Sequence, residues 1–144
     1  DKKIQLTVGR FTKSFYLEEV IVMPEGMGIV FNQPELFIRN YVGVIDIGGV
    51  TQNFGAFDNL GLVRGKSFTE INGMHYLRTQ IKDALKKEGA IIGDIDVKYL
   101  MNNPGNYKRT IAKVIEEFFE VIRTSIVARN WGDSIQLVFI SNSI

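Results

Sequence analysis

The sequence predicts an α/β domain, a mixed sheet flanked by helices. Three observations point to it: apolar runs of strand length fill the chain before residue 70, two later stretches repeat apolar residues three and four apart, and a last apolar run closes the chain. The length of 144 residues suffices for one hydrophobic core and not for two ordinary ones. With 45% hydrophobic residues, 23% charged residues and a net charge of +1, the composition excludes a disordered chain and a basic polyanion-binding surface. The absence of cysteine removes disulfides, thiolate zinc sites and cysteine nucleophiles, and one histidine, His75, cannot build a histidine metal cluster. No apolar run approaches the roughly 18 residues needed to span a bilayer. The start Asp1-Lys2-Lys3-Ile4 is no signal peptide, so a cytoplasmic protein is expected. Without an initiator methionine, and ending just after an apolar run, the chain is expected to be a piece of a longer protein.

The elements follow in order. Ile4, Leu6 and Val8 alternate, Gly9 to Ser14 reads as a polar break, and Phe15, Leu17, Val20 and Val22 resume, which predicts two strands joined by a turn. Met23-Pro24-Glu25-Gly26 ends the second strand, because proline fixes its own φ and holds the residue before it extended. Met27 to Phe37 reads as a short helix running into a loop at Pro34. Tyr41 to Ile47 is an apolar strand with an acid near its end. It turns at Gly48-Gly49, restarts through Phe54 to Phe57, and turns again at Asp58-Asn59-Leu60-Gly61 into a third strand near Leu62 to Phe68. Asn72 offers an N-cap to a helix whose Leu77, Ile81 and Leu85 share one face, with Lys86, Lys87 and Gly89 suited to its C-terminal end. Ala90 to Met101 has no decisive period, and Ile95 to Val97 fits a short strand. From Tyr107 to about Arg129, Ile111, Val114, Phe118, Ile122 and Ile126 mark a long helix lying on a sheet. Phe118 and Phe119, being adjacent, cannot both be fully buried. Trp131-Gly132-Asp133 closes that helix, and Ser134 to Ile140 reads as a strand covered on both faces.

Asp46 is where chemistry would be expected. Burying an unpaired carboxylate costs several kcal/mol, so an acid in such a run emerges at the strand's end and meets a cation, a donor or water. Gly48-Gly49 lets backbone N–H groups approach an anion, and Thr51 adds a hydroxyl. An acid for hydrated Mg²⁺ followed by a glycine turn for phosphate oxygens is a coherent nucleoside triphosphate site. A tight hairpin with a satisfied aspartate fits the spacing equally well.

Val44-Ile45-Asp46-Ile47-Gly48-Gly49-Val50-Thr51 resembles the second phosphate-binding hairpin of the actin-like ATPase superfamily, whose domains have a ribonuclease H-like fold. Val20 to Gly26 resembles the strand and Met-Pro-Glu turn of the plasmid-segregation actins, the ParM or StbA family. Gly73 to Leu85 is similar to the helix that begins beside the nucleotide's sugar, and Ile135 to Ser143 to the strand and turn of the adenosine motif. The resemblance implies an ATP- and Mg²⁺-dependent protein. Asp46 would hold Mg²⁺ through water, Gly48, Gly49 and Thr51 would contact the β and γ phosphates, Glu25 would orient and deprotonate the attacking water, and Gly73, Ser141 and Asn142 would lie against the nucleoside. Two features depart from the pattern: Asn53 stands where the family has an acid, and the turn Ser141-Asn142-Ser143 where it has glycines.

The resemblance further implies that residues 1–23 are a strand hairpin ending a first domain, 24–42 a connection, and 43–144 a second domain with a short insertion around 90–106. The intact parent would self-associate into ATP-driven filaments that move plasmid DNA through an adaptor protein, with no direct nucleic-acid or membrane contact. This half alone is expected neither to bind ATP tightly nor to hydrolyse it, because positioning by both domains supplies the catalysis. A sugar or small-carboxylate kinase of the same superfamily and a non-hydrolysing scaffold are the other readings. Lys82, Lys86, Lys87 and Lys98 read as solvated helix faces, and His75 as structural.

Overall fold

A computed structural model describes residues 2–23 and 27–141, with the backbone alone at Ser141. β1 (Lys2–Val8) and β2 (Phe11–Leu17) form a separate antiparallel hairpin turning at Gly9 and Arg10. The polar stretch expected as a break is instead the polar face of β2: Thr12 meets Thr7 at 3.0 Å and Ser14 accepts from Gln5 at 3.3 Å. The ladder ends at the pair Lys2 and Leu17, so Val20, Ile21 and Val22, expected to continue the strand, are exposed and outside any strand.

The short helix α1 (Gly28–Asn32) and a 3₁₀ turn at Pro34–Leu36 lead into the main sheet, as the apolar spacing and Pro34 predict. That sheet contains β3 (Tyr41–Ile47), β4 (Gln52–Asp58), β5 (Gly61–Leu62), β6 (Phe68–Glu70) and β7 (Gln136–Ser141). Its order is β5-β4-β3-β7, with β6 also on β4; β3 and β4 are antiparallel and β3 and β7 parallel. The expected third strand is thus split into β5 and β6 around a 3₁₀ turn at Arg64–Lys66. Ser67 is the cause. Its Oγ donates to Val63 O at 3.0 Å and accepts from Ala56 N–H at 3.2 Å, so a side chain takes over where the ladder would run.

Alternation along β3 separates two cores. Ile45 and Ile47, with Phe54 and Ala56 of β4, face the helices α2 (Met74–Lys87), α3 (Asp94–Asn102) and α4 (Lys108–Ala128). Leu77, Ile81 and Leu85, Val97, and Ile111, Val114, Phe118 and Ile122 fill that side. Val42, Val44 and Phe57 face the other way, onto Val30 and Phe37, whose ring meets Phe57 edge-on at 5.3 Å. Residues 94–102 are helical where a short strand at Ile95 to Val97 was expected; Asp96 accepts from Gly93 N–H at 2.9 Å and caps the helix, and Val97 turns inward.

Both long helices end in the same hydrogen-bonded motif. Gly89 N–H and Ala90 N–H donate to Lys86 O and Leu85 O, and Asn130 N–H and Trp131 N–H donate to Val127 O and Ile126 O. Gly89 and Asn130 take the left-handed φ of +85° and +55° that this closure requires. Trp131 then lies under the sheet, its indole N–H on Lys66 O at 2.8 Å and its ring against the bare Cα of Gly43. As expected, the adjacent phenylalanines part: Phe118 is buried while Phe119 is 45% exposed and edge-on to Phe139. β7 is not covered on both faces. It is an edge strand among the described residues, with Leu137 and Phe139 exposed, because its hydropathy cannot supply the neighbour that coverage needs.

Candidate functional site

The site is built where β3 turns into β4. Ile47 pairs with Gln52, and the four residues between them, Gly48 to Thr51, form the loop, closed by Gly48 N–H donating to Thr51 O at 2.9 Å. Its tip is exposed at Gly49 and Val50. Neither Gly48 nor Gly49 has a positive φ, so neither is required by a left-handed conformation. A Cβ on Gly48 would lie 3.1 Å from Thr51 O, and one on Gly49 would rest 3.6 Å from His75 Nε2.

Helix α2 starts directly on this loop. Asn72 was expected as its N-cap; the cap is Gly73, and no side chain caps the helix. The hairpin's own carbonyls do the work instead. Gly73 N–H donates to Val50 O at 2.9 Å, Met74 N–H to Gly48 O at 2.9 Å, and His75 N–H to Gly49 O at 2.8 Å. Three tertiary acceptors leave an Asn side chain nothing to add, and Asn72 O itself accepts from the Gln52 side-chain amide.

This docking fixes where the other ends of the same peptides point. No peptide bond among the described residues is cis, and in a trans peptide the N–H is antiparallel to the C=O. With the carbonyls of Gly48, Gly49 and Val50 turned onto α2, the N–H groups of Gly49, Val50 and Thr51 are turned away from it. Among the described residues no backbone carbonyl accepts from any of the three. Successive outward N–H groups form an anion-binding concavity, and the hydrogen bonds to the first turn of α2 place the positive end of its dipole behind them.

Asp46 lies on the same side. On β3 it follows Val42 and Val44 in alternation, so its carboxylate is on the sheet face opposite α2 and α4. It is 6% exposed and lies opposite Asn53 of β4 and Ile140 of β7. Asn53 accepts a hydrogen bond from Thr69 at 2.9 Å, so the position where the resemblance calls for an acid holds a neutral amide engaged with β6. No group of three or more metal-ligating side chains exists among the described residues. Mg²⁺ keeps several waters and needs only one or two carboxylates beside a phosphate, and Asp46 is one carboxylate placed beside the outward N–H groups.

Asp46, Gly48, Gly49, Thr51 and Gly73 are therefore brought together around one hairpin. The backbone of Ser141 pairs with Ile47, beside the hairpin's entry. Glu25 and Asn142 lie outside the described residues. Sequence reasoning missed Val50, whose N–H is the central outward donor, and Gln52. For Val50 no side-chain signal exists. For Gln52 there was one: Gln52, Phe54 and Ala56 alternate, so an amide occupies an inward position and must find an internal partner.

No protein-family model matches the sequence, and no curated protein does. Solved structures match strongly at low identity. The chain is similar to the archaeal actin homolog Ta0583 in complex with ADP, with a TM-score of 0.73 at 16% identity over 97% of this chain and 51% of that one. It is similar to the Alp12 filament structure, with a TM-score of 0.68 at 24% identity over 98% and 48%, and to a 15-stranded ParM filament from Clostridium botulinum, with 0.64 at 17% over 92% and 46%. The chain spans about half the length of these relatives. It has the actin-like fold of the ParM type, a mixed sheet flanked by helices.

Proposed function

We propose that this chain is the second, nucleotide-holding half of an actin-like, ATP-dependent filament protein that segregates plasmid DNA. The observation that carries the reading is the set of three outward N–H groups of Gly49, Val50 and Thr51 on the Asp46 side of the sheet. These donors suit the β and γ phosphates, and the Asp46 carboxylate suits one or two waters of a Mg²⁺ shell. Bound Mg²⁺ would supply charge neutralisation on the phosphates. The chain's own part is to hold and orient. Gly73, Ser141 and Asn142 lie against the nucleoside in this reading, and Glu25 orients and deprotonates the water, work that needs a carboxylate within hydrogen-bond reach.

The ADP held by the archaeal homolog and the filaments formed by Alp12 and ParM support this reading over a kinase. Because the chain spans about half of each, the phosphates would be gripped from a second domain as well, and this half alone would bind ATP weakly and not hydrolyse it. In the parent, an adaptor bound to plasmid DNA would link the filament to its cargo. No helix among the described residues is long and apolar enough to cross a membrane.

The test is titration of the full-length parent with ATP and Mg²⁺ by calorimetry, followed by pelleting. Binding and pelleting are both expected, with Asp46→Ala losing both and Glu25→Gln keeping assembly while losing phosphate release. Binding without pelleting would move the reading to a kinase, and no binding would move it to a scaffold.

A further inference from the structure

We propose that Gly73 and Gln52 are positioning residues for polyphosphate: they seat α2 deep enough on the hairpin to turn three carbonyls inward and three N–H groups outward. This rests on the nucleotide reading above. Gly73 has an ordinary φ of −71°, so conformation alone does not demand glycine there. Distance does. A Cβ at Gly73 would stand 2.6 Å from Gly48 O, 2.7 Å from Gly49 O and 2.7 Å from the Val50 carbonyl carbon, separations that real Cβ atoms essentially never show. All three obstacles are backbone, so no side chain can swing aside, and the whole helix start would have to recede.

Gln52 works from the other end of the loop. It is 1% exposed and pairs with Ile47 at the base of the hairpin, and its side-chain amide donates to Asn72 O, the residue ahead of Gly73. A buried donor with one partner holds that partner firmly, because releasing it leaves the amide unsatisfied. The hairpin and the helix start are thus tied on both sides of the three short bonds from Gly73, Met74 and His75. If α2 recedes, the peptides joining Gly48 to Thr51 are free to rotate, and the outward donors no longer converge. Misplacement of a positioning group by about 1 Å can cost a hundredfold.

The experiment compares Gly73→Ala, Gln52→Leu and the control Gly65→Ala, whose added methyl would meet nothing within 4 Å, in the full-length parent. Calorimetry would use ADP with Mg²⁺, pyrophosphate, and adenosine. The proposal expects Gly73→Ala and Gln52→Leu to weaken ADP and pyrophosphate at least tenfold, with adenosine binding within twofold of wild type in Gln52→Leu, whose side chain has no part in holding the nucleoside, and the Gly65→Ala control unchanged. Wild-type ADP affinity in both variants, or equal losses for ADP and adenosine in Gln52→Leu, would overturn it. Amide NMR supplies a readout that needs no ligand. The resonances of Gly49, Val50 and Thr51 should move in both variants while those around Leu85 and Phe118 stay. If the wild type binds neither ADP nor pyrophosphate, the nucleotide reading fails by itself, and unmoved Gly49 to Thr51 resonances would overturn the positioning role separately. If Gly73→Ala does not fold, Gln52→Leu carries the same readouts.

Discussion

Gly43 sits in the middle of the central strand, where glycine ordinarily weakens a sheet by roughly 0.5–1 kcal/mol relative to alanine. The structure gives the reason: a Cβ there would be 2.4 Å from Trp131 Cζ3, 2.9 Å from Cε3 and 3.0 Å from Ile135 Cδ1. The indole cannot simply move off. Its N–H is held by Lys66 O at 2.8 Å, and its ring is edge-on to Phe54 and Phe68, each at 6.2 Å. Gly43→Ala therefore overpacks a pinned site, for which about 3 kcal/mol is the upper end of the usual range. Subtracting the strand gain leaves a net destabilisation of about 2 kcal/mol. At about 2.1 cal/mol/K per residue, 144 residues give an unfolding entropy near 0.3 kcal/mol/K, so Tm should fall by about 6–7 °C.

Trp131→Phe removes the far edge of the indole and its N–H, and costs about 2–3 kcal/mol alone by leaving a cavity and an unpaired Lys66 carbonyl. In that background Gly43→Ala should cost nearly nothing, a coupling of about 2 kcal/mol. The assay is urea unfolding of the four proteins followed by far-ultraviolet circular dichroism. Additivity within about 0.5 kcal/mol would refute the reasoning.

Two further outcomes follow from the helix ends and the surface charges. Gly89→Ala should destabilise by about 1–2 kcal/mol because φ is +85°, whereas Asn130→Gly, at φ +55°, should be neutral or stabilising; thermal melts of both check the shared closing motif. Lys82 donates to Asp94 at 2.5 Å and, with Lys86 nearby, holds its carboxyl below the usual aspartate range. A depressed native pKa stabilises above the unfolded value of about 4 and is lost as pH falls through the native one. Asp94→Asn should thus be slightly destabilising at pH 7 and indistinguishable from wild type in acid below that window. Raising the salt to about 1 M should also erase the difference, since the pair is exposed, and a pH series of melts at two salt concentrations decides it.

The strand-turn-strand around Gly48 and the two long helices were legible because each rests on its own period. Leu77, Ile81 and Leu85, and likewise Ile111, Val114, Phe118 and Ile122, point one way whatever packs on them. The misses lie where a distant group outvotes the local one. Asn72 lost the cap to three hairpin carbonyls, Ser67 broke the third strand by offering its hydroxyl to Ala56, and β7 was read as covered although coverage depends on a neighbour. At the site, the spacing of Asp46, Gly48, Gly49 and Thr51 could be read directly. The direction of the N–H groups could not, because it is set by the start of α2, and Gly43 gave no hint of Trp131.

The most direct measurement is a crystal structure of the full-length parent with Mg²⁺ and a non-hydrolysable ATP analogue. Phosphate oxygens at about 2.7–3.2 Å from the N–H groups of Gly49, Val50 and Thr51, with a Mg²⁺-bound water against Asp46, is the predicted result. A triphosphate bound elsewhere, with those three N–H groups satisfied by the protein's own acceptors, would contradict it.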